Sequence, residues 1–98
     1  MSIFIDEKTK VLIQGITGKE GRFWTEHMIG CGTNVIAGVT PGKEGQNVEG
    51  RDVFHSVRRA VEHNEIEASM LFVPPRFTKD AVFEALDSGI KKIVTVAD

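Results

Sequence analysis

What most constrains the fold of this 98-residue chain is an alternation of four short apolar runs with stretches of helical spacing. The runs are Val11–Gln14, Asn34–Val39, Ser69–Val73 and Lys92–Val96. They are nearly continuous in apolar residues instead of alternating apolar with polar. Strands of that kind are covered on both faces, which requires a parallel sheet with helices on each side. Between the runs lie three helical patterns. Lys19–Ile29 is closed by Gly30 and Gly32, the latter suited to a left-handed cap. Ser56 caps a short helix through His63, with Val57, Ala60 and Val61 on one face. Thr78 caps a helix over Lys79–Ser88, in which Val82, Phe83, Ala85 and Leu86 supply the apolar face and Gly89 ends the pattern. Pro74-Pro75, followed by Arg76, stops the third run. Thr40–Asp52 reads as a Gly-rich polar loop without periodicity. The order β-α-β-α-β-α-β, joined by right-handed crossovers, predicts an α/β fold: a Rossmann-like doubly wound parallel sheet in a single domain. Ile3, Phe4 and Ile5 suggest one further short element of unassigned type within Met1–Lys10.

Composition narrows the function. Twelve Lys+Arg against fourteen Asp+Glu give a net charge of −2, without general attraction to nucleic acid. Arg58-Arg59 and Lys91-Lys92 are too short to change that and read as solvated faces. The single Cys31 excludes an intramolecular disulfide. One Cys and three scattered His do not make a structural zinc site, which needs about four ligands. No apolar run approaches the ~20 residues of a membrane helix. Asp6, Glu7 and Lys8 stand where a signal peptide needs an apolar stretch. The expectation is a cytosolic domain that binds a small molecule or a protein partner.

In open α/β sheets, ligands bind outside the carboxyl ends of the strands. The first such loop is Gly15-Ile16-Thr17-Gly18-Lys19-Glu20-Gly21. Its glycines form G-x-x-G-x-x-G, not the dinucleotide fingerprint G-x-G-x-x-G, but the physical logic is shared. Gly15 allows a tight turn out of the strand, Gly18 lets the backbone approach an anion, and Gly21 lets the helix pack closely. The helix N-terminus then presents free N–H groups and partial positive charge to a phosphate, with the Thr17 hydroxyl as a further donor. A tight turn without ligand is the plainer reading. NAD sites place an acid at the end of the second strand. Here that strand ends Gly38-Val39-Thr40, and Pro41-Gly42-Lys43-Glu44-Gly45 follows. Lys43 is a cation where a second phosphate would sit, the 2′-phosphate of NADP or the 3′-phosphate of coenzyme A, or it is a solvated loop lysine. Glu44 beside it weakens the cationic field.

Taken together, Met1–Asp6, Gln14–Gly21, Gly32-Thr33, Gly38–Lys43 and Phe72–Pro75 resemble the N-terminal coenzyme A-binding domain of the α subunit of succinate–CoA ligase, a pattern shared by malate–CoA ligase. The resemblance spans the chain. It implies coenzyme A as cofactor. It implies that Thr17, Gly18, Lys19 and Glu20 line the phosphates, and that Lys43 holds a phosphate or the adenosine end. Val96, Ala97 and Asp98 would contact the pantetheine arm, and Val39, Pro41 and Pro74 would form apolar walls. It further implies a longer enzyme of the tricarboxylic acid cycle that forms a thioester through an acyl phosphate. A phosphorylated His in a second domain and a nucleotide-binding β subunit would both lie outside these residues. The compartment would be the cytoplasm, or the mitochondrial matrix in a eukaryote. The chain departs from the family at Trp24, Cys31, Glu44, Arg51 and Asp52, where the family has His, Tyr, Gly, an apolar residue and Pro. These departures suggest a divergent member, with the acid substrate open.

Other residues carry plainer readings. His27, His55 and His63 fall outside the expected phospho-His position; His27 and His63 read as solvated or capping groups. Cys31 reads as a small packed thiol. Trp24 reads as packing or a subunit contact instead of an adenine stack. An NADP-binding oxidoreductase domain and a non-catalytic module that binds coenzyme A or NADP remain as alternatives, although the absence of any Tyr removes a catalytic tyrosine.

Overall fold

The computed structural model describes residues 6–96. The expected element around Ile3–Ile5 therefore lies outside the described residues, as do Ala97 and Asp98. The chain runs β1 (Val11–Gln14), α1 (Lys19–Gly30), β2 (Val35–Val39), β3 (Asn47–Val48), β4 (Arg51–Phe54), α2 (Val57–His63), β5 (Ala68–Leu71), α3 (Pro75–Asp87) and β6 (Lys92–Thr95). The strands form one sheet in the order β3-β4-β2-β1-β5-β6, all parallel except the β3–β4 pair. This is the Rossmann-like doubly wound arrangement predicted from the apolar runs. β1 lies between β2 and β5, so its end is where the strand order turns back and a crevice opens.

Side chains alternate across β1 and feed two core layers. Val11 and Ile13 join Ile16, Val35 and Val53, with Met28 and Ile29 of α1 packed over them. Leu12 faces the other way, with Ala37, Val39, Val57, Ala60 and Ala85, beneath α2 and α3. Leu12 and Ile13 are fully buried, and each such side chain contributes about 1.5–3 kcal/mol by leaving water. One buried polar link crosses the sheet. Ser69 donates its hydroxyl to Gln14 Oε1 at 2.5 Å, and Gln14 Nε2 donates to the Ala81 carbonyl at 3.1 Å, tying β1 and β5 to α3.

Three expectations require correction. The span Thr40–Asp52 is not structureless, since it contains β3 and the start of β4. β4 pairs in parallel with β2, and the β3–β4 hairpin turns at Glu49 and Gly50, with φ of 50° and 80°. Two positive φ values in succession are what a type I′ turn demands. The sequence Arg-Asp-Val-Phe hid β4 because only Val53 in it is fully buried. Arg51 instead bonds backbone, Nε to the Val35 carbonyl at 2.9 Å and Nη1 to that of Glu49 at 2.7 Å.

Second, α3 begins at Pro75, not after a Thr78 cap. Proline suits the first helical position because its missing N–H has no intrahelical partner there and its φ is already helical. Thr78 Oγ1 points back to the Pro74 carbonyl at 3.5 Å. Third, the buried side of α3 runs through Ala85 with half-buried Ala81 and Val82, whereas Phe83 and Leu86 are 56% and 50% exposed. At about 3.6 residues per turn Phe83 falls about opposite Ala85, and Leu86, the next residue, falls on the flank, about a quarter turn away.

The caps expected at Ser56, Gly32 and Gly89 are present. Ser56 accepts from Arg59 N–H at 3.2 Å, and both glycines have φ of 92°.

Candidate functional site

The turn out of β1 is shaped by backbone contacts. Gly15 has φ of 83°, and a Cβ there would collide with the Phe72 carbonyl at the end of β5. Gly15 N–H donates to the Val39 carbonyl at 2.7 Å, and Phe72 N–H to that of Gln14 at 2.8 Å, so the ends of three strands are stitched together. A Cβ on Gly21 would collide with the Gly15 carbonyl, which places the first turn of α1 directly on the β1–α1 turn. Gly18 differs from both. It is exposed and extended (φ −70°, ψ 165°), and an added Cβ would meet only Gly15 O, at 3.5 Å. It occupies the N-cap of α1 and no side chain caps the helix. Lys19 and Glu20, the first two helical residues, are exposed and their N–H groups have no intrahelical partner, so these amides and the positive end of the helix dipole are open to a ligand.

Two clefts meet at this helix start. One, of about 530 Å³, is largely apolar and lies towards α3; Thr17, Val39, Pro41, Val73, Pro74 and Phe77 are among its walls. The other, of about 550 Å³, lies towards β6 and takes in Lys19, Glu20, Thr78 and Val96. Gly18, Phe72, Val73 and Pro74 border both. Each volume is within the range of small-molecule sites. The exposed Gly18 cradle, the uncapped amides and Lys19 at the cleft edge fit a ligand with an anionic diphosphate.

The structure thus brings Thr17, Gly18, Lys19, Glu20 and Val96 together, and it gathers Val39, Pro41 and Pro74 in one apolar wall. Lys43 lines neither cleft. It is exposed, in the turn after Pro41, with its N–H donating to the Thr40 carbonyl at 3.1 Å. Thr40 is a site residue that sequence reasoning did not single out. Its Oγ1 lies 3.0 Å from Thr17 Oγ1 and accepts Thr17 N–H at 3.3 Å, so the Thr17 hydroxyl is already engaged. Arg22 also went unrecognised, and its Nε donates to the Thr17 carbonyl at 2.9 Å.

Glu44 does not face Lys43 as a competing charge. Its carboxylate accepts from Arg59 Nε (3.3 Å) and Nη2 (3.0 Å) and from His55 N–H (3.0 Å). The Arg59 guanidinium first, and then the His55 amide, hold its pKa down from 4.5 to about 2. His55 Nδ1 accepts Gly42 N–H at 2.9 Å. Arg59, read from sequence as part of a solvated pair, is therefore a loop anchor. The signal for this lies in spatial pairs 11 to 15 residues apart, which no local pattern carries.

The remaining candidates sit away from the clefts. Trp24 packs its ring edge-on to Phe23 (5.3 Å) and His27 (5.5 Å) on the outer side of α1. Cys31 is exposed at the end of α1, with Sγ 3.8 Å from His27 Nε2, which corrects the expectation of a packed thiol. It follows the last helical residue, where a cap position projects into solvent. His63 ends α2 and stacks on Phe54 at 5.5 Å. No helix among the described residues is long and apolar enough to cross a membrane.

Comparisons with known proteins agree with this geometry. Over its whole length the chain is 71% identical to the ADP-forming sulfoacetate–CoA ligase subunit SqwL of an Acholeplasma species and 63% identical to subunit SauD of the corresponding ligase of Bilophila wadsworthia. It is 52% identical to succinate–CoA ligase [ADP-forming] subunit alpha 2 of Archaeoglobus fulgidus. It covers 33%, 33% and 34% of these relatives, so it spans about a third of their length. Among solved structures, a Rex-family repressor superposes with a TM-score of 0.76 at 19% identity, over 91% of this chain and 45% of that one. A conserved hypothetical protein of Pyrococcus furiosus gives 0.73 at 23%, over 90% and 74%. Both likenesses concern the fold. The model of the CoA binding domain matches residues 6–98, and the chain belongs to that family, with coenzyme A as its cofactor.

Proposed function

We propose that this chain is the coenzyme A-holding part of an ADP-forming acid–CoA ligase, with Thr17, Gly18, Lys19, Glu20, Lys43, Val96, Ala97 and Asp98 as its cofactor-contacting residues. The observation that carries this reading is the uncapped start of α1, open at Gly18 onto two clefts. The amides of Lys19 and Glu20 would hold the diphosphate, with Glu20 contributing its N–H and turning its carboxylate away. Val39, Pro41 and Pro74 would flank the adenosine, Lys43 would pair with the 3′-phosphate, and Val96–Asp98 would run beside the pantetheine arm. Coenzyme A supplies the thiol that becomes the thioester. The domain's contribution is to fix that thiol in one place, which replaces a bimolecular encounter by an oriented one.

The rest of the reaction belongs to parts beyond this third of the relatives' length. By this reading an acyl phosphate forms there, through a phosphorylated His in a second domain and a nucleotide site on a partner subunit. Sulfoacetate is the proposed acid, because the relatives at 71% and 63% identity are sulfoacetate–CoA ligase subunits while the succinate–CoA ligase subunit stands at 52%. This replaces the tricarboxylic acid cycle as the proposed setting.

Calorimetric titration with coenzyme A, 3′-dephospho-coenzyme A and NADP tests the binding. Saturable coenzyme A binding, weaker without the 3′-phosphate and absent for NADP, is expected. Binding of NADP alone would overturn the ligase reading in favour of an oxidoreductase or a regulatory module. For the acid, ADP release by the full-length protein with its partner subunit should be faster with sulfoacetate than with succinate; the reverse order would return the assignment to succinate.

A further inference from the structure

Lys43 lies between two residues that are tied to the same place. On one side Gly42 donates its N–H to His55 Nδ1 at 2.9 Å. On the other, Glu44 accepts the His55 N–H at 3.0 Å and takes both Arg59 Nε and Nη2, at 3.3 and 3.0 Å. Arg59 is itself placed by the N-cap of α2, where its N–H donates to Ser56 Oγ at 3.2 Å. The loop's own backbone bonds close the frame: Lys43 N–H to Thr40, Gln46 N–H to Lys43 and Gly45 N–H to Val53. An ion pair as exposed as Glu44–Arg59 adds little to global stability. Its two-point fork does, however, fix geometry, because the planar guanidinium meets both carboxylate oxygens.

The arrangement has two consequences for Lys43. A long lysine side chain springs from a backbone held on both flanks, so less freedom is lost when its ammonium meets an anion. The carboxylate next to it in sequence is also occupied elsewhere, so it does not compete for that ammonium. We infer that His55, Glu44 and Arg59 form a clamp that presents Lys43 to the 3′-phosphate of coenzyme A and holds the Glu44 carboxylate away from it. All three are positioning residues, acting through Lys43. The inference rests on the proposed pairing of Lys43 with the 3′-phosphate.

The test uses Arg59→Met, because the α2 cap bonds the Arg59 backbone and not its side chain, and Met keeps helix propensity. Coenzyme A and 3′-dephospho-coenzyme A are titrated against the parent, Arg59→Met, Lys43→Ala and the double variant. Arg59→Met is expected to weaken coenzyme A about tenfold and the dephospho form less than about twofold, the scale of one charge-assisted contact. In the Lys43→Ala background it should cause no further loss. Arg59→Lys, which keeps the charge and loses the fork, should fall between. If Lys43→Ala discriminates the two ligands but Arg59→Met weakens both equally, or weakens coenzyme A as much without Lys43, the clamp is overturned and the phosphate pairing stands. If Lys43→Ala itself does not discriminate, the phosphate pairing falls and takes the clamp with it.

Discussion

The two loops that reach the cleft from β1 and β2 are held in opposite ways. The turn Gly15–Gly21 is fixed at both ends by main chain, where glycines at 15 and 21 permit backbone-to-backbone contacts that any side chain would block, and side chains (Thr40 and Arg22) hold only Thr17 at its middle. The loop Thr40–Gly45 is fixed largely by side chains, with His55 and Arg59 reaching back to Gly42 and Glu44. A loop held by main chain offers a rigid set of amides and tolerates no addition at its tight points. A loop held by side chains offers a charged group whose aim depends on distant partners, and it can be loosened without unfolding. By the proposed function, the first loop supplies the common grip on a diphosphate and the second reads what distinguishes one phosphorylated cofactor from another.

Substitutions break this contrast at graded strengths. Gly21→Ala should have the largest effect, since its Cβ collides with the Gly15 carbonyl. A loss of about 3 kcal/mol is expected in urea unfolding, with binding lost alongside, as for other overpacked sites. A variant of parental stability would mean that α1 can shift freely away from the turn. Gly18→Val comes next and separates binding from folding. Gly18 is extended and its Cβ position is open, so unfolding should change by about 1 kcal/mol at most, the cost of a poor N-cap, while coenzyme A binding disappears. Retained affinity would place the phosphates elsewhere.

Lys43→Ala should weaken coenzyme A by about 1–3 kcal/mol and leave 3′-dephospho-coenzyme A nearly unchanged. Equal losses for both ligands would remove the distinction drawn between the two loops. The smallest effect is a pH dependence. The Glu44 pKa is lowered from 4.5 to about 2, so its contribution to stability is present above about pH 4.5 and is lost as pH falls through 2. Urea midpoints of the parent and Glu44→Gln should therefore differ above that range and converge towards pH 2. A gap that persists at pH 2 would show that Glu44 acts by something other than its charge.

The same contrast explains what could be read from sequence. The Gly15–Gly21 turn is legible because its three glycines and the helix start fall in one short stretch after an apolar run, although the contacts from Val39, Thr40 and Phe72 that complete it are not. The parallel sheet was legible because β1, β2 and β5 are buried on both faces and carry almost no polar residue. β4 was not, because it spends Arg51 and Asp52 at the margin of the sheet and buries only Val53 fully. The start of α3 is hidden because Pro75 follows a strand and stops it, while the same rigid φ opens a helix. Val82, Phe83, Ala85 and Leu86 read together as one apolar face, but only small Ala85 is fully buried against the sheet, and Phe83 and Leu86 stay about half exposed. Glu44 appeared as a defect beside Lys43 because its partner Arg59 stands 15 residues away.

The β3–β4 hairpin has a consequence outside ligand binding. A sheet of parallel strands ends in a row of unpaired amides and carbonyls, a template on which other chains can add and aggregate. Among the described residues, the outermost strand on one side of this sheet is β3, only two residues long, with Asn47 exposed and a tight turn immediately after it. So short a ladder gives an incoming strand little to grip. Straightening the turn, for instance by replacing Gly50 with a β-branched residue, would lengthen that margin. Its cost would then appear as a lower concentration limit for clear solutions, even where affinity for coenzyme A is intact.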